Sequence, residues 1–372
     1  MDPNEGHSAD VVVVGAGAIG LCVARALSKA GRSVTVVDPT PGRGAIWAAA
    51  GMLAPASEAH FGHEPLVPLL SRAASRWPGF VDELGGGSDD LGFRAAGSVV
   101  VGADAGDRDE LARIERLQRS LGLEVVDLSR DQLQALEPAL APSLRFGLRL
   151  PGDLQVDPRR VVAALLAELE HLAVSFVAAR VTAVQRGRFP VVLLEGGSTL
   201  RPHQMVLCPG AHLEHIDGLE ALGLPPIRPV KGHILRLTGA PLLTHTIRAT
   251  VKGRSVYFVP RVDGQLVVGA SSEERGFDTR VQVGEVHRLL DDARRVVPGV
   301  DELELSEVSV GLRPGSPDDA PTIEAFDGAS LVVAVGHHRN GVLLAPLSAE
   351  VVVALLQGHE HPDHKLFRDS HG

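Results

Sequence analysis

The sequence predicts an α/β chain, α+β overall, in which a parallel βαβ layer is joined to a second, antiparallel sheet. Three observations predict it. A glycine-punctuated stretch runs from Asp10 to Asp38, alternating strand patterns fill Ile227 to Gly269, and a strand–turn–helix pattern returns after Val308. The chain has 372 residues, 44% of them hydrophobic, enough to fill a core in one large domain or two smaller ones.

The opening element is Val11 to Val14, a valine run too short for a helix and bounded by glycine, so it reads as a buried parallel strand. Gly15-Ala16-Gly17-Ala18-Ile19-Gly20 follows. The first glycine permits a tight turn, the second lets a pyrophosphate approach the backbone, and the third lets strand and helix pack closely. Ile19, Val23, Leu27 and Ala30 keep helical spacing, which puts the phosphate at the helix amino terminus, where free N–H groups point. Gly31 ends the helix. Ser33 to Val37 forms the next strand, and Asp38 stands where an acid hydrogen-bonds a ribose hydroxyl. Together these define an adenine dinucleotide site on a Rossmann-type unit. An ordinary βαβ turn accounts for neither Gly17 nor Asp38, and the motif alone does not separate FAD from NAD.

Composition removes several classes. The net charge is −10 with no basic stripe, which excludes a nucleic-acid surface. No uninterrupted apolar stretch reads as a membrane span, and the polar start MDPNEGHSAD is not a secretory signal. Cys22 and Cys208 read as buried free thiols, so a cytoplasmic location is expected. His359, His361 and His364, with Glu360 and Asp363, imitate a metal cluster, but they follow the last helix in a tail expected to fray. No metal is expected.

The remaining elements follow in order. Ala45 to Pro55 is a run of small residues, either a buried helix or a segment laid on a flat cofactor. Pro65 to Leu84 reads as one helix, with Leu66, Leu69, Leu70, Ala73, Trp77, Phe80 and Leu84 on a face. The glycine-rich break at 85–90 is a candidate domain boundary. Phe93 to Val101 reads as strands. Asp107 to Leu121 is an amphipathic helix with Arg113, Arg116 and Arg119 on its solvated face. Leu144 to Leu150 is a strand. Asp157 caps a helix that Pro158 starts and Leu172 ends. Val174 to Val184, Val191 to Leu194 and Met205 to Cys208 are strands, the last turning at Pro209-Gly210. In the second sheet, Tyr257 of Ser255 to Arg261 either packs with its hydroxyl in water or meets a ligand, and a helix covers Val286 to Val297. Arg313 lies in Gly311-Leu312-Arg313-Pro314, read as a loop. Its planar fork suits a carboxylate, as substrate anchor or as structural ion pair. Leu331 to Val335 is a buried strand, and Gly336 to Gly341 turns into a helix over Val342 to Leu356, closed by Gly358.

Three blocks carry a family resemblance. They are the opening glycine motif, Trp47-Ala48-Ala49-Ala50-Gly51-Met52-Leu53-Ala54-Pro55 with Glu58, and Gly311-Leu312-Arg313-Pro314 followed by Gly336-His337-His338-Arg339-Asn340-Gly341-Val342-Leu343-Leu344-Ala345-Pro346. They span the chain, and it resembles the glycine oxidases of thiamine biosynthesis, in the D-amino-acid oxidase superfamily. The resemblance implies FAD, held by Gly15, Ala16, Gly17, Ala18, Ile19, Gly20, Asp38, Arg43, Ala49, Ala50, Gly51, Met52, Val181, Pro209, Gly210, Gly311, His337, His338, Arg339, Asn340, Gly341 and Val342. It implies that Tyr257 and Arg313 hold the carboxylate of a small amino acid, that Arg339 lines the same cavity, and that Met52 and His338 form its wall. Two positions depart from the family: Ile46 replaces a small hydroxyl residue, and His338 an aromatic one. The resemblance further implies oxidative deamination with dioxygen reduced to peroxide, a homotetramer, and two domains. Residues 1–90, 151–226 and 308–372 would bind FAD, and 91–150 with 227–307 would bind substrate. D-amino-acid dehydrogenase, sarcosine oxidase and, more distantly, a nicotinamide-dependent dehydrogenase or a non-catalytic dinucleotide-binding protein are the alternatives.

Overall fold

The computed structural model describes residues 9–85 and 87–371. Its first sheet has six strands in the order Thr322–Phe326, Leu331–Val335, Gln204–Leu207, Val11–Val14, Val34–Val37 and Ser175–Val177, parallel except for the first. The valine strand sits in the middle and is wholly buried. Strand alternation divides its side chains. Val11 and Val13 pack with residues of helices Ala18–Lys29, Pro158–His171 and Gly341–Leu356. Val12 and Val14 pack on the other face against a small antiparallel sheet formed by Val181–Gln185, Val191–Leu194 and Thr199–Leu200.

The second sheet has nine strands. Its centre runs Arg228–Thr238, Leu266–Gly269, Arg254–Pro260 and Thr246–Val251, all antiparallel. Ser98–Gly102 then joins in parallel to Thr246–Val251, bringing Phe146–Leu150 and Val126–Ser129 with it. The expected antiparallel sheet is therefore mixed at this one seam. Helix Val283–Val296 covers one face through Leu289, Ala293 and Val296. The other face meets Ala48, Ala50 and Met52 of the first unit.

Several expectations are corrected. Pro65 to Leu84 is two helices, Val67–Ala74 and Trp77–Leu84. Pro78 offers no N–H to the preceding turn and its ring crowds that turn's carbonyl, so a single helix cannot continue. Arg313 is on a strand: Glu304–Gly315 pairs with Arg228–Thr238 along its whole length, across the expected domain boundary at 308. Pro314 is tolerated because this is an edge strand. The C-terminal tail is docked, since His364 Nε2–H donates to the Ile323 carbonyl at 2.8 Å, Phe367 is buried, and Asp363 accepts from Arg72 at 2.8 Å. The stretch His338–Leu356 does have the length and apolarity of a membrane span, but 67% of that window is buried within the fold. The Trp77 indole N–H donates to the Leu343 carbonyl inside it at 2.9 Å.

Candidate active site

The site is built on one face of the nine-stranded sheet. Register places Arg313, Gly311, Gly232, Ile234, Gly269, Tyr257 and Arg248 on that face, because Gly232 pairs with Gly311, Ile234 with Gly269, Gly269 with Tyr257, and Tyr257 with Arg248. Two strands separate Arg313 from Tyr257, and both carry glycine where a side chain would stand between them. A Cβ on Gly232 would lie 2.5 Å from Arg313 Nη2, and one on Gly269 would overlap the Tyr257 hydroxyl. The two long side chains therefore lie flat across glycines and meet. Arg313 Nη1 also donates to the Ser271 carbonyl at 3.3 Å. Burial lowers the Arg313 pKa, which Tyr257 partly offsets, and burial raises that of Tyr257 against the pull of Arg313 and Arg248. The guanidinium stays charged and the phenol stays protonated at neutral pH.

A second group of charges adjoins this pair. Glu58 is buried, with Oε1 accepting from Arg248 Nη1 at 2.7 Å and Oε2 2.7 Å from Arg339 Nε. Burial alone would raise its pKa, but Arg339 and Arg248 overcome this and hold it at about 2. His60 beside it is pushed down to about 4, chiefly by burial, so it is neutral at pH 7. The chain around Glu58 is fixed from behind by buried Asp153, which accepts from Ala56 N–H at 3.0 Å, from Ser98 at 2.5 Å and from Ser57.

The nucleotide end is equally specific. Gly15 has φ +98°, and a Cβ there would overlap the Cys208 carbonyl; one on Gly20 would overlap the Gly15 carbonyl. A Cβ on Gly17 would meet nothing within 4 Å, which leaves open space before the amino terminus of helix Ala18–Lys29. Asp38 accepts from the Ala16 N–H at 2.8 Å and the Thr40 N–H at 2.7 Å, and each oxygen keeps a lone pair for a further donor.

Residues 10–355 match the family model described as FAD dependent oxidoreductase, DAO. The chain belongs to this family. It is 32% identical over 360 residues to the glycine oxidase of Geobacillus kaustophilus, covering 95% of this chain and 94% of that protein. A crystal structure of glycine oxidase from the same organism superposes with a TM-score of 0.88, at 30% identity and 96% coverage of both chains. The bifunctional protein ThiO/ThiG of Trichormus variabilis is 30% identical over 92% of this chain, which spans 52% of that relative.

FAD fits this DAO-family chain. The open space at Gly17 and the free N–H groups of the following helix suit a pyrophosphate, and Asp38 suits the ribose. The Ala49 to Met52 segment is held by Arg261, which donates to the Ala50 carbonyl at 2.6 Å and the Val156 carbonyl at 2.8 Å. Pro209 and Gly210 continue from Cys208, against which Gly15 packs. Arg43 stacks 3.6 Å over the Trp47 ring, which Arg159 also approaches at 4.1 Å.

The structure places the other expected site residues as follows. Gly311 is needed for packing, since a Cβ there would lie 2.9 Å from Ala48 Cβ. Val181 spends its side chain in the core, leaving only its backbone for a ligand. The buried His337 ring turns inward to Ser348 Oγ at 3.0 Å, and burial lowers its pKa to about 3. His338, at φ +43°, faces Asp319 with Nδ1 3.1 Å from its carboxylate. Asn340 is buried just before helix Gly341–Leu356, and Val342 packs against the helical core. Ile46 is also core, where the family's hydroxyl would be. Sequence reading missed Gly232, Gly269, Arg248 and Arg261. The two glycines carried a usable signal, because glycine inside a strand marks a close approach.

Proposed function

We propose that the protein oxidises glycine, and small amines such as sarcosine and D-alanine, to the imine or 2-oxo acid with reduction of dioxygen to hydrogen peroxide. The observation that carries this reading is the meeting of Arg313 and Tyr257 across Gly232 and Gly269. The N–H fork of a guanidinium and the O–H of a phenol, fixed on rigid strands, make a carboxylate anchor. With the carboxylate there, the small side of the amino acid faces Met52 and Ala50, whose cluster includes Tyr257. Arg339, more exposed than its neighbours, lines the same cavity from the helix side, 2.7 Å from Glu58.

FAD, held at the glycine turn and Asp38, would supply the two-electron redox chemistry, as acceptor for the Cα hydride with dioxygen as final oxidant. The chain's part is positional: the anchor fixes Cα, and orientation supplies much of the rate. The neutral amine's lone pair completes the C=N bond as hydride leaves, and the amine proton goes to solvent. Neither Glu58, held ionised by two arginines, nor neutral His60 is required as a base.

The glycine oxidase and ThiO relatives support glycine as substrate and the imine as a precursor for thiamine thiazole. The unpaired buried thiols of Cys22 and Cys208 support a reducing cytoplasm. A homotetramer is part of the same proposal, to be measured by light scattering. The test of function is peroxide release by FAD-loaded protein given glycine, sarcosine or D-alanine in separate reactions. Peroxide from glycine is the expected result. Substrate-driven flavin bleaching without peroxide would instead assign a dehydrogenase.

A further inference from the structure

We propose that Glu58 is a specificity-determining residue, an internal carboxylate seated where the second carboxylate of a dicarboxylic ligand would otherwise bind. This rests on the proposed role of Arg313 and Tyr257 as the anchor for the first carboxylate.

Tyr257 and Arg248 are directly paired residues on adjacent strands, so the Arg248 guanidinium starts one strand beyond the anchor on the same face. Arg339 comes to the same place from the turn before the last helix. Two guanidiniums converging beside a carboxylate anchor form a second anion site. Glu58 already fills it, with one oxygen toward each arginine at 2.7 Å. Its Oε2 contact with Arg339 is close but not aligned as a hydrogen bond, and the Arg339 side chain is 37% exposed. The grip on Arg248 is the directed one; the hold on Arg339 is electrostatic. Asp153 does not compete for these cations, because its oxygens accept from Ala56, Ser57 and Ser98.

The consequence concerns choice of substrate. An amino acid with one carboxylate takes the Arg313–Tyr257 anchor and is unaffected by Glu58 as a rival. A ligand with a second carboxylate meets a negative charge at the place where it needs a positive one. Glu58 therefore restricts the site to monocarboxylates by repulsion, the repulsive element that specificity commonly requires.

The experiment titrates the FAD-loaded protein with acetate and with malonate, neither oxidisable here, following the flavin visible spectrum. The quantity read is the ratio of their dissociation constants. Wild type is expected to bind acetate and to show little preference for malonate. Glu58→Gln is expected to shift the ratio toward malonate by about tenfold or more, the size of one charge-assisted contact. Because that variant leaves Arg248 buried without its anion, Glu58→Gln/Arg248→Met is the second test. It restores the wild-type net charge yet leaves Arg339 released, so its ratio should also move toward malonate, by less. A ratio equal to wild type in whichever variants fold overturns the proposal. Failure of the underlying anchor is distinguishable, since acetate would then bind wild type and Arg313→Ala alike.

Discussion

Arg313 and Tyr257 were legible as residues but not as a pair. A lone arginine beside proline and a lone tyrosine in a strand each admit a structural explanation, and only strand register shows that both reach across glycines to one point. Arg313→Ala is expected to raise the KM for glycine by about 3 kcal/mol, roughly 150-fold, since a buried anion loses its cation. Arg313→Lys should recover only part, because an ammonium lacks the planar fork. Unchanged glycine kinetics in the alanine variant would remove the anchor role. Gly269→Ala tests the geometry separately. Its methyl occupies the position of the Tyr257 hydroxyl, so KM should rise at least as far as in Tyr257→Phe while bound FAD per protein stays at the wild-type level. An alanine variant that outperforms the phenylalanine one would show that the tyrosine does not lie across Gly269.

At the scale of elements, the opening strand–turn–helix was readable because each residue answers to a local constraint. The valines alternate between two cores, the glycines serve turn and close packing, and Asp38 ties Ala16 and Thr40. The three glycines nevertheless differ in kind. Gly20 is closed in by the Gly15 carbonyl, whereas Gly17 faces open space. Gly20→Ala is therefore expected to destabilise the fold and lose FAD together. Gly17→Ala should keep a wild-type thermal transition as apoprotein but weaken FAD binding, because its methyl intrudes only on the pyrophosphate's space. Flavin absorbance per protein, with apoprotein melting curves for both, separates them; equal behaviour would contradict the division. Elements shaped by one atom were harder to read. The missing N–H of Pro78 splits an otherwise continuous apolar face into two helices, and Pro314 suggested a loop where an edge strand accommodates it.

At the scale of the molecule, long-range pairing was the part the sequence hid. Nothing local tells Ser98–Gly102 to lie parallel to Thr246–Val251, or tells Glu304–Gly315 to follow Arg228–Thr238. Buried ionisable groups set the response of the whole fold to acid. His337 is buried neutral with its pKa lowered from 6.5 to about 3, and His60 is lowered to about 4. In the unfolded chain both take up protons below about pH 6.5. The unfolded state therefore binds more protons than the native one between that pH and the folded values, and stability must fall as pH falls through this window. Glu58 has the same sign by another route: its contribution is present above the unfolded value of 4.5 and is lost as pH drops through about 2. The two histidines thus act first and the carboxylate last. Chemical denaturation across the acid range should show stability declining from near pH 6.5, each histidine contributing at most about 1.4 kcal/mol per pH unit. His337→Gln keeps a partner for Ser348 and removes one titrating group, so its curve should be shallower than wild type between about pH 6 and 4. If the two curves run parallel through that interval, His337 takes up its proton in the folded state, and its ring is not sealed in the core against Ser348.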